Sequence, residues 1–180
     1  MKRRAVLASL ACLPAALAAR KAGATEAPSF VFPSIDGGEI DTAAWRGRPV
    51  LVVNTASLCG FAPQLATMET LHETWGPRGL KVLATPSNDF DQELDDAKKV
   101  KEFCTIQFGI TLPMTDILHV KGAQAHPFYA WLRDTRGFVP RWNFNKALLG
   151  PDGQAIATWG AFTPPDAPQI VAAFTPYLAS

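Results

Sequence analysis

Residues 50–60 read Val50-Leu51-Val52-Val53-Asn54-Thr55-Ala56-Ser57-Leu58-Cys59-Gly60, an apolar strand that runs into a turn carrying a cysteine. The β-branched run from Val50 to Val53 favours a buried strand. Beyond the turn, Pro63 suits the first position of a helix, and apolar residues recur at helical spacing as far as Trp75. The sequence therefore predicts a strand, a turn and a helix, with Cys59 just ahead of the helix N-terminus.

The position of Cys59 suits a reactive thiol. Unpaired backbone N–H groups and the positive end of a helix dipole favour the thiolate, which is the nucleophilic form of cysteine. The same position also suits an inert cysteine, because a free cysteine often packs as a small apolar side chain. Dithiol exchange within the turn is excluded, since Gly60-Phe61-Ala62 follows Cys59 without a second cysteine. A single attacking thiol and a packed core cysteine are the two remaining interpretations.

The composition is that of one compact domain. The chain has 180 residues, of which 48% are hydrophobic and 18% are charged, and these values fit a single core without repeats or disorder. The net charge is +1 and no basic stripe is present, so we predict no nucleic-acid partner. The three histidines lie in separate segments without the spacing of metal ligands, so we predict no metal and no other cofactor; they are His72, His119 and His126.

The first residues of the chain have the pattern of an export signal. A basic run, Lys2-Arg3-Arg4, precedes an apolar stretch from Ala5 to Ala19, and Ala22-Gly23-Ala24 follows as a small-residue cleavage pattern. The apolar stretch is too short for an ordinary membrane-spanning helix. We predict a signal peptide over residues 1–24, no stable membrane insertion, and a mature domain over residues 25–180.

Export affects how the cysteines are interpreted. We expect a periplasmic protein. The Arg3-Arg4 pair resembles a twin-arginine signal, but paired basic residues are also common in ordinary export signals, so both routes stay open. Cleavage after Ala24 leaves Cys59 and Cys104 in the mature chain. An even pair of cysteines in an oxidising compartment invites a disulfide, which can be structural or catalytic.

The remaining patterns predict an α/β domain. Leu80 to Ala84 reads as a second buried strand after the first helix, and this β-α-β order implies a parallel strand pair. Glycine turns at 36–38 and 150–153 predict two hairpins, one of them N-terminal. Other expected elements are a helix capped by Asp95 or Asp96, a short strand at Ile110 to Met114, and helices at His126 to Arg133 and Pro168 to Leu178. We predict a thioredoxin-like three-layer α/β/α sandwich with a central mixed sheet and an N-terminal β-hairpin.

Four segments carry a resemblance to a known family. In chain order they are Asn54-Thr55-Ala56-Ser57-Leu58-Cys59-Gly60-Phe61, Pro86-Ser87-Asn88-Asp89-Phe90 with Gln92-Glu93, Ala125-His126-Pro127-Phe128-Tyr129, and Trp142-Asn143-Phe144. This order resembles that of glutathione peroxidases, and the likeness covers roughly Phe30 to Leu178. One departure is that the loop before Gln92 is one residue shorter than is usual in the family. In addition, Leu94 follows Gln92-Glu93 where the family has a Pro-Gly turn.

The resemblance implies a thiol peroxidase that reduces hydrogen peroxide and organic or lipid hydroperoxides in defence against oxidative stress. Cys59 then matches the position that reduces the peroxide, and Gln92, Trp142 and Asn143 match the side chains around it. Amide and indole N–H groups stabilise a thiolate and a departing oxygen without adding a competing charge. Seen alone, Trp142 could equally be a core residue and Asn143 a turn residue.

Cys104 matches the resolving cysteine of family members that use thioredoxin. The resemblance therefore implies a Cys59 sulfenic acid attacked by Cys104, with a thioredoxin-like protein or glutathione as the reductant. The helical face that carries Cys104 also suits a simple core position. The short connection between Arg133 and Trp142 resembles that of monomeric members. Two alternatives remain: a non-peroxidatic thiol-disulfide or copper-handling module on the same fold, and a binding module in which Cys59 and Cys104 form a static disulfide.

Overall fold

The computed structural model describes residues 27–179, and the predicted signal peptide lies outside these residues. The strands are β1 (Val31–Pro33), β2 (Glu39–Asp41), β3 (Val50–Thr55), β4 (Lys81–Pro86), β5 (Lys146–Leu149) and β6 (Ala155–Trp159). The helices are α1 (Gln64–Trp75), α2 (Ala97–Phe108), α3 (Pro127–Arg136) and α4 (Pro168–Phe174). Most of these elements follow the patterns seen in the sequence.

The centre of the molecule is a four-stranded mixed sheet in the order β4-β3-β5-β6. β3 and β4 are parallel, as the predicted β-α-β order requires, whereas β5 is antiparallel to β3 and to β6. β3 is buried along its whole length because both faces of the sheet are covered. The carboxyl ends of β3 and β4 and the amino end of β5 therefore lie at the same edge of the sheet.

Helices cover both faces of the sheet. Alternate residues of β3 point to opposite sides, so Leu51 and Val53 pack with α1, α2 and α4, while Val50 and Val52 pack with α3. The β1–β2 hairpin forms a separate two-stranded sheet, and its Phe32 joins the core on the α3 side. These layers confirm the predicted three-layer α/β/α arrangement with its N-terminal hairpin.

Two sequence expectations are wrong in detail. Residues 110–114 do not form a strand, because Met114 makes only one isolated bridge, to Ala84. The buried carboxylate of Glu69 on α1 instead accepts the backbone N–H groups of Thr111 and Leu112, at 2.8 and 3.1 Å. The last helix ends at Phe174, ahead of Leu178, and continues as a short 3-10 turn. Pro176 explains this, because proline has no N–H for an α-helical bond.

A buried lysine joins the sheet to the start of α1. Lys146, the first residue of β5, is fully buried, and its ammonium donates to Gln64 Oε1 at 2.6 Å and to the Thr163 carbonyl at 2.5 Å. No carboxylate among residues 27–179 pairs with it. Burial therefore lowers the pKa of Lys146 from 10.5 to about 8. The ammonium holds the first residue of α1 and the 161–163 segment together beside the Cys59 turn.

Stability should rise with pH because of Lys146. Between pH 8 and 10.5 the unfolded chain holds the Lys146 proton more tightly than the folded chain does. Relative to Lys146→Met, the wild-type free energy of unfolding should therefore increase by roughly 3 kcal/mol across this range. Urea titrations at several pH values measure the difference, and Lys98→Met, at an exposed site, is the control. Parallel curves for wild type and Lys146→Met would contradict the expectation.

None of the helices in the part of the chain that the structure describes has both the length and the apolar character needed to cross a membrane.

Candidate active site

Cys59 lies in the turn between β3 and α1, as the sequence predicts. The side chain is 5% exposed, and its carbonyl accepts the Ala62 N–H at 2.8 Å. The backbone N–H of Phe61 points at Cys59 Sγ at 3.5 Å. The thiol therefore has a backbone donor beside it, in the turn that leads into α1.

The loop after β4 brings Gln92 to the Cys59 turn despite its reduced length. Asp91 adopts a left-handed backbone conformation, with φ of 55°, and Asn88 ties the loop by accepting the backbone N–H groups of Asp91 and Glu93, each at 3.0 Å. The Gln92 carbonyl accepts the N–H of Leu58, the residue before Cys59, at 2.9 Å. The left-handed residue thus turns the shortened loop directly before Gln92.

Asn143 meets Gln92 at the same edge of the sheet. Its Nδ2 donates to Gln92 Oε1 at 3.1 Å, and the whole side chain is buried. Its Oδ1 has no hydrogen-bond partner among the described residues. An orphaned buried acceptor is costly, and such atoms are more common at functional sites than in ordinary cores.

The side chain of Asn54, at the end of β3, holds the turn that carries Trp142 and Asn143. Its Nδ2 donates to the Trp142 carbonyl at 3.0 Å, and its Oδ1 accepts the Asn145 N–H at 3.0 Å. Phe144, which lies within this turn, adopts a left-handed conformation with φ of 61°. A non-glycine residue in this conformation usually indicates local strain that the surrounding contacts must hold.

Trp142 lies at the rim of the site. Its side chain is 41% exposed, and its ring packs beside that of Phe90 with centroids 5.5 Å apart. The Lys121 ammonium lies 4.1 Å from the centroid of the Phe90 ring, a cation–π contact. The indole is therefore accessible to a molecule that approaches from solvent, and it is not an ordinary core residue.

Cys104 occupies the middle of α2, where its side chain faces the core and is 2% exposed. Both Cys59 and Cys104 are free thiols in the structure. Burial, followed by the nearby negative charge of Glu93, raises the pKa of Cys104 to about 12. The Cys104 thiol is therefore protonated at neutral pH while α2 is folded.

His126 has a structural position at the start of α3. Its Nδ1 accepts the Phe128 N–H at 3.3 Å as the N-cap of α3, and its Nε2 donates to the Val31 carbonyl at 3.0 Å. Burial lowers the pKa of His126, so the ring is held neutral in this tautomer. Within residues 27–179, no cluster of three or more histidine, cysteine or acidic side chains is arranged to hold a metal ion.

The sequence identified Gln92 and Asn143 as candidate site residues, but it did not identify the buried polar residues that support the surrounding segments. Asn54 and Glu93 stand in the family-like segments without a role of their own, and no sequence pattern singles out Lys146. Each is buried and binds backbone or side-chain groups that the sequence does not identify. A polar residue within an apolar run, as Asn54 is, was the one available signal.

A lone thiol in a strand-to-helix turn, at the edge of the sheet where two amide side chains form a hydrogen bond, fits a single-thiol oxidoreductase. The fold that carries it is thioredoxin-like. The family model for glutathione peroxidase matches residues 29–133. The chain belongs to the glutathione peroxidase family, and it is a thiol peroxidase that reduces hydroperoxides.

Several known proteins are similar to the chain. A glutathione peroxidase of Lactococcus lactis is 36% identical over 142 residues, which cover 76% of this chain and 90% of that protein. The hydroperoxy fatty acid reductase gpx1 of Synechocystis is 33% identical over 148 residues, which cover 76% and 88% of the two chains. The crystal structure of Trgpx in its apo form superposes with a TM-score of 0.64 and 31% identity, covering 86% of this chain and all of the other.

Proposed function

We propose that Cys59 is the peroxidatic cysteine and that Gln92, Trp142 and Asn143 are the catalytic residues around it. The observation that carries this proposal is the junction at the edge of the sheet. There the Gln92 backbone is bonded to the residue before Cys59, and the Gln92 side chain is bonded to Asn143. Three separate segments of the chain are thereby held together at the turn that carries the thiol.

The first step is a two-electron oxidation of Cys59. Its thiolate attacks one peroxide oxygen, the O–O bond breaks, and the sulfur becomes a sulfenic acid. The departing oxygen takes up a proton and leaves as water or an alcohol. Amide and indole N–H groups can stabilise both the thiolate and this developing negative charge, since they donate hydrogen bonds and carry no charge themselves.

The second step is resolution by Cys104. Its sulfur attacks the Cys59 sulfur, the S–O bond breaks, and the hydroxyl leaves as water with the proton of the Cys104 thiol. The disulfide is then reduced by a thioredoxin-like dithiol, and glutathione is the alternative reductant. Because Cys104 faces the core from the middle of α2, this helix must loosen before the two Cα atoms can come within about 7 Å, as a disulfide requires.

Exposed apolar side chains near Cys59 support organic hydroperoxides as substrates beside hydrogen peroxide. Leu58 is exposed, and Phe162 is 89% exposed while it packs edge-to-face on Phe61 with centroids 5.2 Å apart. The name of the Synechocystis relative points to fatty-acid hydroperoxides. A hydrophobic rim can bind the apolar tail of such a molecule and leave its O–O group at the thiol.

We place the enzyme in the periplasm, exported by the predicted signal over residues 1–24, and we propose that it acts as a monomer. The proposal of a monomer is supported by the short connection between α3 and Trp142, which leaves the site open. Neither alternative class receives support from the site. A dithiol or copper-handling module lacks a second thiol in the turn, and a static disulfide does not match two free thiols.

Paired turnover assays test this function. The purified chain receives hydrogen peroxide, tert-butyl hydroperoxide or a fatty-acid hydroperoxide, with reduced thioredoxin and its reductase in one arm and glutathione with glutathione reductase in the other. We expect NADPH consumption with all three peroxides and faster turnover with thioredoxin. Absence of consumption with both donors would contradict the proposal.

A further inference from the structure

Glu93 is a buried carboxylate without a cation partner. Its side chain is 7% exposed, and Oε1 accepts the backbone N–H groups of Ser57 and Leu94, each at 2.9 Å. Among residues 27–179, no lysine, arginine or histidine forms an ion pair with it. Burial accordingly raises the pKa of Glu93. A buried charge that lacks an opposite charge costs stability, so this residue calls for an explanation other than stability.

The carboxylate interacts with the segment that carries one cysteine and with the thiol of the other. It binds the backbone of Ser57, two residues before Cys59, and its charge acts on the Cys104 thiol. The Ser57 hydroxyl is also buried, and it interacts with both the Glu93 carboxylate and the Cys104 thiol. The other charged group that acts on Cys104 is Lys101, which favours the thiolate; its ammonium pairs with Asp36 at 2.9 Å.

We propose that Glu93 is a positioning residue that favours loosening of α2. Its buried charge near the Cys104 thiol disfavours the closed arrangement, in which α2 packs against the Cys59 turn and Cys104 lies in the core. This inference rests on the proposed resolving role of Cys104. Loosening of α2 exposes Glu93 to water and removes the desolvation that the closed arrangement imposes on it.

The charge of Glu93 also links the exposure of Cys104 from the core to ionisation of its thiol. Loss of the thiol proton in the closed state would place two negative charges in one buried site, which is strongly unfavourable. In the loosened state water solvates both charges and the repulsion weakens. Cys104 therefore becomes a thiolate only when it is free to reach Cys59, and it stays protonated while it is packed in the core.

Glu93→Gln tests the proposal, because glutamine keeps an oxygen that accepts the Ser57 and Leu94 N–H groups but removes the charge. In the reduced protein, amide hydrogen exchange over α2 should slow about tenfold. After peroxide is added, the phase of disulfide formation whose rate does not depend on peroxide concentration should slow by a similar factor. Glu102→Gln is the matched control, since Glu102 is an exposed carboxylate on the same helix. The control should leave both rates unchanged.

Each of three results for Glu93→Gln would overturn the proposal. They are exchange in α2 that is unchanged or faster, exchange that slows evenly over the whole chain, and an unchanged rate of disulfide formation. Exchange is measured without peroxide. A failure of the peroxidase assignment, seen as absence of Cys59 oxidation in the wild type, is therefore distinct from a failure of the role given to Glu93.

Discussion

Cys59→Ser is expected to lower the rate of peroxide consumption by at least about a thousandfold. A serine hydroxyl is not ionised at neutral pH, and its oxygen is a far weaker nucleophile than a thiolate toward the O–O bond. The substitution is nearly isosteric at a buried position, so the fold should survive it. Stopped-flow measurement of the oxidation of the reduced protein by one equivalent of hydrogen peroxide gives the rate.

The matched control for this experiment is Cys104→Ser, which removes the other buried thiol. If Cys59 alone attacks the peroxide, the control should lose one equivalent of thiol at close to the wild-type rate. Rapid oxidation that persists in Cys59→Ser and disappears in Cys104→Ser would reverse the roles of the two cysteines.

Cys104→Ser should separate the first turnover from all later ones. We expect oxidation of Cys59 within about threefold of the wild-type rate, but turnover with thioredoxin at least about a hundredfold slower, because no disulfide can form for the dithiol to reduce. The Cys59 sulfenic acid should accumulate and be trapped by dimedone, which mass spectrometry detects as a single adduct.

Glutathione provides the internal comparison for this second variant. A small thiol can attack the Cys59 sulfenic acid directly, so turnover with glutathione should fall much less than turnover with thioredoxin in Cys104→Ser. Undiminished turnover with thioredoxin would remove Cys104 from the resolving role and leave it as a core residue. Loss of turnover with both donors would indicate that resolution always passes through Cys104.

Local sequence patterns predicted most of the strands and helices, because these patterns reflect interactions between residues that are close together in the chain. The β-branched run at Val50 and the helical spacing after Pro63 depend only on neighbours in the chain, and β3 and α1 form where they were expected. Both hairpins likewise follow from glycine turns. The expected strand at residues 110–114 failed because a distant side chain, Glu69, binds the backbone that a neighbouring strand would otherwise have paired.

The sequence indicated candidate side chains for the site, but it did not indicate which buried residues hold them in place. Family resemblance identified Gln92 and Asn143, and the structure brings the two side chains into contact. The shortened loop could not be judged from its length, because aspartate favours the left-handed conformation of Asp91 only weakly and the residue type alone does not fix it. The burial of Glu93 was likewise hidden, since whether an acidic residue faces water or protein depends on how the loop folds back on the Cys59 turn.

The shared edge of the sheet has a consequence for how such enzymes change over evolutionary time. Cys59, Gln92 and Asn143 each stand on a connecting segment, while the side chains of the strands beneath them pack the core. Mutations in the connecting segments can therefore alter substrate choice at little cost to stability, whereas the strands are constrained by packing. The loop before Gln92 illustrates this freedom: it is shorter than is usual in the family, yet its glutamine still reaches the asparagine across the site.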